Sequence, residues 1–353
     1  MAIQSVPSTL ETVAQRVDDV ATLHEEELSL TPPVPKRMKL ETTRRCNLAC
    51  WFCHREDLPK MQMTLKEGAH ILDQLQVGGV DEVGLFWVGE PGIDQRMPEW
   101  IRMVASRGMK PFITTNGTAL PKKKAREWFE AGLWSLKFSL NFPDAASFAK
   151  GTSSDPRLFN LIEQNMRTAK KARDEVERAT GHRCQLSSSI IRFSDKWQGA
   201  MTSVVNRVKD HVDHFYYLAP YRIEENNLTR EELDDGMVLA IGNPGRFENP
   251  HPVIPCHILF RFFVVDVHGN LSGCAFHHGT NADKFVAGNL FTENLLDVWH
   301  SKVMRDLRLA HLVDWKNGDE KLTCSRRTAC GPCLTPPANQ DGLMPGQALF
   351  LKR

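Results

Sequence analysis

Cys46, Cys50 and Cys53 stand close together in the stretch RRCNLACWFCHRE, and His54 follows the last of them. Thiols at this spacing form a soft donor set on one loop. Four readings compete. Zinc takes four S or N ligands and His54 offers a fourth, but adjacent Cys53 and His54 are awkward to aim at one ion. Cys50-Trp51-Phe52-Cys53-His54 also fits the C-x-x-C-H pattern of c-type haem attachment, which leaves Cys46 without a role and requires an oxidising assembly compartment. Three inert thiols are the plainest reading. The fourth is a [4Fe–4S] cluster held by only three thiolates, which leaves one iron open to a ligand that is not protein.

The amine and carboxylate of an amino acid can chelate that open iron, and S-adenosylmethionine carries both beside a sulfonium. Cys46-x-x-x-Cys50-x-x-Cys53, with aromatic Phe52 before the last cysteine, resembles the signature of the radical S-adenosylmethionine (radical SAM) superfamily. The resemblance extends over most of the chain. It implies reductive cleavage of S-adenosylmethionine to a 5′-deoxyadenosyl radical that abstracts a carbon-bound hydrogen, chemistry for which the protein supplies orientation. VGEP matches the family's Gly-Gly-Glu-Pro at Gly89, Glu90 and Pro91, with Val88 in place of the first glycine. That motif binds the methionine amine in the family. TTNG places Asn116 near the ribose or carboxylate by the same resemblance, and SLNF places Ser139 and Asn141 at the cofactor, with Asn141 where an acid is usual. Taken alone, each of these polar residues also suits a strand-end cap or turn.

A second set comprises Cys256, Cys274, Cys324, Cys330 and Cys333. It resembles the auxiliary-cluster extension called SPASM or twitch, in which a Gly-Asn, a helix with a tryptophan (here Trp299) and an arginine (here Arg308) lie between the cysteines. Five cysteines are too few for two auxiliary clusters, so one is expected, held by Cys256, Cys274, Cys330 and Cys333. A structural zinc is the competing reading for four such thiols. Cys324 is then a spare ligand or a hydrogen-atom donor to a substrate radical. Cys184 opens a predicted strand and reads as a small core residue.

These residues need elements that bring them together. RMKLET (37–42), EVGLFW (82–87), KPFITT (110–115), SLKFSL (135–140), LSSSII (186–191) and HFYYL (214–218) read as strands. Helices are expected between them at 64–77, 97–107, 121–131, 156–179 and 198–210. Six alternating βα units close as an open doubly wound sheet or as a barrel. With the family resemblance, the expectation is an α/β fold, a partial (β/α)6 TIM-type barrel with a small C-terminal Cys-rich α+β auxiliary-cluster domain. The expected divisions are an N-terminal helical arm over 1–33, the barrel over 34–220, a linker over 221–250 and the auxiliary-cluster domain over 251–353. In that last part RFFVVDVHGNLSGC reads as a hairpin turning at His268-Gly269-Asn270, and 292–311 as one amphipathic helix.

Composition excludes some partners. Lys and Arg number 44 against 43 for Asp and Glu, so no general field attracts nucleic acid or an anionic membrane. PKKKAR (121–126) reads as a solvated helix face and His277-His278 as solvent-facing residues beside the cysteine module. The N-terminal stretch lacks a signal peptide's basic start and apolar core, so a cytoplasmic protein is expected. Arg192, after the fifth strand, is a candidate to orient a carboxylate or accept a proton. Tyr216, Tyr217, Tyr221 and Arg222 are candidates for the substrate pocket, and Trp51, Phe86 and Trp87 for packing around the cofactor.

One-auxiliary-cluster relatives of this shape act on sugars, aminocyclitols or similar natural-product precursors, by epimerisation or dehydrogenation. Modification of a peptide or protein is the alternative, and the arm of roughly thirty residues is short for a peptide-binding domain. A non-catalytic electron carrier is the third reading. An external electron donor such as flavodoxin or ferredoxin is the expected partner. Anaerobically reconstituted protein is expected to hold about eight iron atoms per chain, as two [4Fe–4S] cubanes; zinc recovered in place of half the iron would remove the auxiliary cluster.

Overall fold

The computed structural model describes residues 27–50, 53, 61–191, 195–218, 258–274 and 285–317. Along the chain the elements are β1 (Arg37–Leu40), α1 (Leu65–Val77), β2 (Glu82–Gly84), α2 (Met97–Ala105), β3 (Lys110–Thr115), α3 (Lys122–Glu130), β4 (Ser135–Ser139), α4 (Ala145–Thr152), α5 (Arg157–Thr180), β5 (Gln185–Ile191), α6 (Asp195–Val208) and β6 (His214–Leu218). Then come α7 (Ile258–Arg261), β7 (Phe263–Val265), β8 (Asn270–Ser272), β9 (Val286–Asn289), α8 (Leu295–Trp299) and α9 (Lys302–Asn317).

Among the described residues the strands form one sheet in the order β6-β5-β4-β3-β2-β1-β7-β8-β9. Strands β1 to β6 are parallel and each pairs with its neighbour in sequence. A doubly wound sheet reverses strand order at a switch point. No reversal occurs across these six strands, so the fold is the partial (β/α)6 barrel. The helices lie on its convex face and the other face lines a lumen.

Strand alternation separates those faces. Met38, Leu40, Val83, Ile113, Leu136, Phe138, Leu186 and Ile190 are buried toward the helices, where Trp100, Trp128 and Met166 meet them. Their partners in alternation, such as Lys39, Phe112, Thr114, Lys137 and Ser139, are half-buried and face the lumen.

β1 also pairs in parallel with β7, and β8 and β9 continue antiparallel. The expected hairpin is therefore present and extends the barrel sheet itself. Asp266 Oδ1 shapes its turn by accepting from the backbone N–H of His268 and Asn270, both at 2.9 Å.

Two helical expectations change. α4 is an extra helix, with Asp144 as its N-cap accepting from Ser147 N at 2.8 Å. Its sequence, AASFAKGT, offers Phe148 as the main apolar anchor and ends in weak helix formers, which left no period to read. The single helix expected over 292–311 is two, broken at His300 and Ser301. The break serves tertiary contacts: Trp299 Nε1 donates to the carbonyl oxygens of Pro32 and Pro33 at 3.0 and 3.1 Å, and His300 Nε2 lies 2.9 Å from the Pro32 oxygen.

Arg308 locks this corner. It is fully buried, stacks on the Trp299 ring at 4.1 Å, and donates to the carbonyl oxygens of Leu259, Leu30 and Trp299, each at 2.9 Å. Burial pushes its pKa down to about 9, and Nη2 has no partner. The guanidinium thus joins the segment before β1, α7 and α9. Arg308→Ala is expected to lower unfolding free energy by about 2–4 kcal/mol in denaturant titration, because buried carbonyls lose their donors.

Candidate functional site

The loop after β1 carries Cys46, Cys50 and Cys53, all half-buried. Backbone bonds fix its root: Met63 N donates to Thr42 O at 3.1 Å and Arg44 N to Met61 O at 2.9 Å. Leu48 is buried between the first two cysteines, and Ala49 N donates to Thr152 O at the end of α4 at 2.9 Å. Cys53 N closes a turn on Cys50 O at 2.9 Å. The donor set fits an iron-sulfur cluster in chemistry and in its placement on one loop. Among the described residues no three His, Cys, Asp or Glu side chains are arranged as a metal-holding group, so the loop supplies the donors without the closed geometry. Phe52 and His54 lie outside the described residues.

Gly89 packs directly on this loop. A Cβ there would collide with the backbone oxygen of Thr43 and lie 2.8 Å from that of Arg45. With no side chain in the way, Glu90 N donates to Arg45 O at 2.8 Å. Glu90 itself is buried, and its carboxylate braces the turn after β2 against the end of β3. Oε1 accepts from Gly92 N at 2.6 Å and Thr115 Oγ1 at 2.5 Å, and Oε2 from Asn116 N at 2.7 Å. Burial raises its pKa while those donors pull it down. Pro91 starts a short 3₁₀ turn over Pro91–Ile93.

Asn116 is held from both sides. Its Nδ2 donates to Asn47 Oδ1 at 3.0 Å, and its Oδ1 accepts from Thr118 N and Oγ1 at 2.9 and 2.7 Å. Asn47 Nδ2 completes the ring on Thr118 Oγ1 at 2.7 Å. The structure therefore brings the cysteine loop, VGEP and TTNG together. Ser139 and Asn141 are half-buried at the end of β4. Asn47, Thr115 and Thr118 were not anticipated; short polar residues at strand ends carry only a turn signal in sequence.

The PKKKAR stretch is not uniformly solvated. Lys122 and Arg126 pair with Glu175, but Lys124 Nζ turns in to the carbonyl oxygens of Gly92 and Ala119 at 2.7 and 3.1 Å. Phe86 stands in the lumen against Phe112, with centroids 5.7 Å apart, and Trp87 packs on Ile258, Phe262 and Val264. Cys184 is buried and desolvation pushes its thiol pKa up, as a core residue's should be. Cys274 is half-buried after β8, in a turn made by Ser272 Oγ, which accepts from Cys274 N at 3.2 Å and donates to Cys274 O at 3.0 Å. Arg192, Tyr221, Arg222, His277, His278, Cys256, Cys324, Cys330 and Cys333 lie outside the described residues.

A sequence profile of the radical SAM superfamily matches residues 40–183, and one of an iron-sulfur cluster-binding domain, SPASM, matches residues 256–333. The chain thus carries a radical SAM domain followed by a SPASM domain. Its two domains imply [4Fe–4S] clusters and S-adenosylmethionine as cofactors. Among similar curated proteins is a GTP 3′,8-cyclase of Tolumonas auensis, 34% identical over 131 residues, 35% of this chain and 35% of that one. A second is the Fe-coproporphyrin III synthase of Methanosarcina barkeri, 34% identical over 102 residues, 28% of this chain and 25% of that one. The chain thus spans about a third or less of the length of these relatives. Similar solved structures include Streptococcus suis SuiB bound to S-adenosylmethionine, with TM-score 0.58, 15% identity and coverage of 77% of this chain and 67% of that one. Another is anSMEcpe with AdoMet and the Cp18Cys peptide, with TM-score 0.51, 15% identity and coverage of 77% and 82%. At such identity they share the fold. No described helix is long and apolar enough to cross a membrane.

One network ties the radical SAM loop to the hairpin that carries Cys274. Arg44 bridges Glu41 and Asp266, at 2.9 and 3.0 Å, and Glu41 Oε2 accepts from Val267 N at 3.1 Å. Glu41 is fully buried, its Oε1 has no partner, and burial raises its pKa to about 7 against the pull of Arg44. Because the folded pKa lies above the ordinary 4.5, the native state holds an extra proton between those values. Stability is expected to fall as pH rises through that window, read as melting temperature against pH, and Glu41→Gln to flatten the slope.

Proposed function

We propose that this radical SAM enzyme abstracts hydrogen from a carbon of a small polar substrate held in the barrel lumen, giving epimerisation or dehydrogenation. The observation that supports this is the lumen face itself. Thr114, Lys137, Ser139, Ser187 and Ser189 alternate with the apolar residues of β3, β4 and β5 that face the helices. Such a lining offers hydrogen-bond partners to a small polar molecule beside the apolar rings of Phe86 and Phe112. The curated relatives named for GTP and for Fe-coproporphyrin III also carry small molecules in their names, which favours this class over a peptide.

In this reading Cys46, Cys50 and Cys53 hold the catalytic cluster, and Cys256, Cys274, Cys330 and Cys333 the auxiliary one. Bound S-adenosylmethionine supplies the 5′-deoxyadenosyl radical when an external electron donor such as flavodoxin or ferredoxin reduces the cluster. The residues of the chain position it. Glu90, with its carboxylate engaged by Gly92, Thr115 and Asn116, sets the backbone of VGEP at the cofactor. The ring of Asn47, Asn116 and Thr118 fixes the cysteine loop against the end of β3, and Ser139 and Asn141 extend the same rim. Arg192 orients substrate or takes its proton, and Cys324 returns a hydrogen atom if the reaction is an epimerisation.

The test is anaerobic turnover of reconstituted protein with reductant and S-adenosylmethionine in deuterated water, offering sugars, aminocyclitols and peptides in turn. Formation of 5′-deoxyadenosine is expected to rise with a small polar substrate. Deuterium at an inverted carbon then marks epimerisation and a new carbonyl marks dehydrogenation. Stimulation by peptides alone would overturn the reading.

A further inference from the structure

The three consecutive lysines that open α3 go three different ways. Lys122 pairs with Glu175, Lys123 is exposed, and Lys124 turns inward beside the buried face of the helix, where Ala125 and Trp128 lie. Its Nζ donates to Gly92 O at 2.7 Å and to Ala119 O at 3.1 Å. The first carbonyl belongs to the turn after VGEP and the second to the turn after TTNG. One ammonium from the helix layer therefore bridges two strand-end turns of the barrel rim.

The turns meet where Lys124 reaches them. A Cβ on Gly92 would lie 2.6 Å from Glu90 Oε1, 3.5 Å from Ala119 Cβ and 3.6 Å from Ala119 O. Carbonyl oxygens converging on one point repel each other, and a cation between them offsets this with two charge-assisted hydrogen bonds. Gly92 is thus held at both ends of its backbone, its N–H by Glu90 Oε1 at 2.6 Å and its oxygen by Lys124. On the other turn, Thr118, the residue before Ala119, donates to Asn116 Oδ1 through both N and Oγ1. Buried Asn165 of α5 supports that turn as well, with Nδ2 donating to Gly117 O at 2.7 Å and Thr118 O at 3.3 Å. Burial lowers the Lys124 pKa, while the negative charges of Glu90 and then Glu127 raise it.

We propose that Lys124 is a positioning residue for S-adenosylmethionine: by joining the Gly92 and Ala119 carbonyls it fixes Glu90 and Asn116 relative to each other. This rests on the reading of VGEP and TTNG as the seat of the cofactor. Lys124 acts through two turns whose other bonds end on Glu90 and Asn116. Without its ammonium the two carbonyls lose their common donor, and Gly92 is freer to turn away from Glu90 Oε1. Both turns must then be ordered when the cofactor binds, which lowers affinity.

The experiment titrates S-adenosylmethionine anaerobically into the cluster-reconstituted full chain without reductant, by calorimetry, with iron content and melting temperature measured for every variant. Lys124→Met, which keeps the apolar stem and removes the donors, is expected to weaken binding by about tenfold at unchanged iron content. Lys124→Arg, which keeps charge and donors, should regain most of that loss. Lys123→Met removes the same charge one residue away and should bind as the parent does. In reduced, frozen samples the change that the cofactor makes in the electron paramagnetic resonance of the cluster should need correspondingly more cofactor in Lys124→Met, with the cofactor-free signal unaltered. Glu90→Gln is the reference for the seat itself and should weaken binding. A Lys124→Met protein that melts lower yet binds the cofactor as tightly as the parent, while Glu90→Gln does not, would overturn the proposal and leave the seat in place. Equal weakening in Lys123→Met, or no recovery in Lys124→Arg, would overturn it too. Unchanged affinity in both Glu90→Gln and Lys124→Met would remove the reading of the seat and the proposal with it.

Discussion

A backbone-to-backbone contact with no room for a methyl group governs the rim of this barrel. At Gly89 the chain runs so close to the Thr43 and Arg45 carbonyls that only a hydrogen fits, and the next residue's N–H reaches Arg45. That contact welds the loop of the three cysteines to the end of β2. The Glu90 carboxylate then carries the junction on to β3 through Thr115 and Asn116. Burial of a carboxylate is unfavourable unless donors surround it. Three donors do, and each comes from a segment that the site requires in a fixed place.

The same economy of parts joins the two cysteine-bearing regions. Arg44, two residues before Cys46, reaches Asp266 in the hairpin that leads to Cys274. β7 lies directly on β1, so the hairpin and the first cysteine loop leave neighbouring strands of one sheet. Arg308 adds a third tie behind them, between α7, α9 and the segment before β1. The cysteine-bearing hairpin is therefore held to the barrel by strand pairing, by a buried ion network and by one desolvated guanidinium. A disturbance of β1 is felt in both regions.

Inside the barrel the physical logic reverses. The helix-facing side of the strands is closed and apolar, whereas the lumen side accepts half-buried hydroxyls and two ammonium groups. Burial pushes the Lys39 ammonium down to about 7, and perturbed titration of this sort gathers where ligands bind. Phe86, Phe112 and Phe262 narrow the lumen around Lys39 without supplying a counter-charge.

The sequence by itself determined the cofactor class and the βα alternation. Cys46, Cys50 and Cys53 are local in sequence, and strands with a period of two are read over a few residues. It also located VGEP and TTNG at strand ends. Tertiary structure decided how those motifs are held, because Thr115 and Asn116, which donate to Glu90, lie 25 and 26 residues further along the chain. The choice between a doubly wound sheet and a barrel likewise rested on strand order, which no local pattern encodes. Lys39 and Lys137 look in sequence like ordinary solvent-side residues of alternating strands. Only the curvature of the sheet turns that side into an enclosed lumen, where burial holds the Lys39 ammonium well below its ordinary pKa.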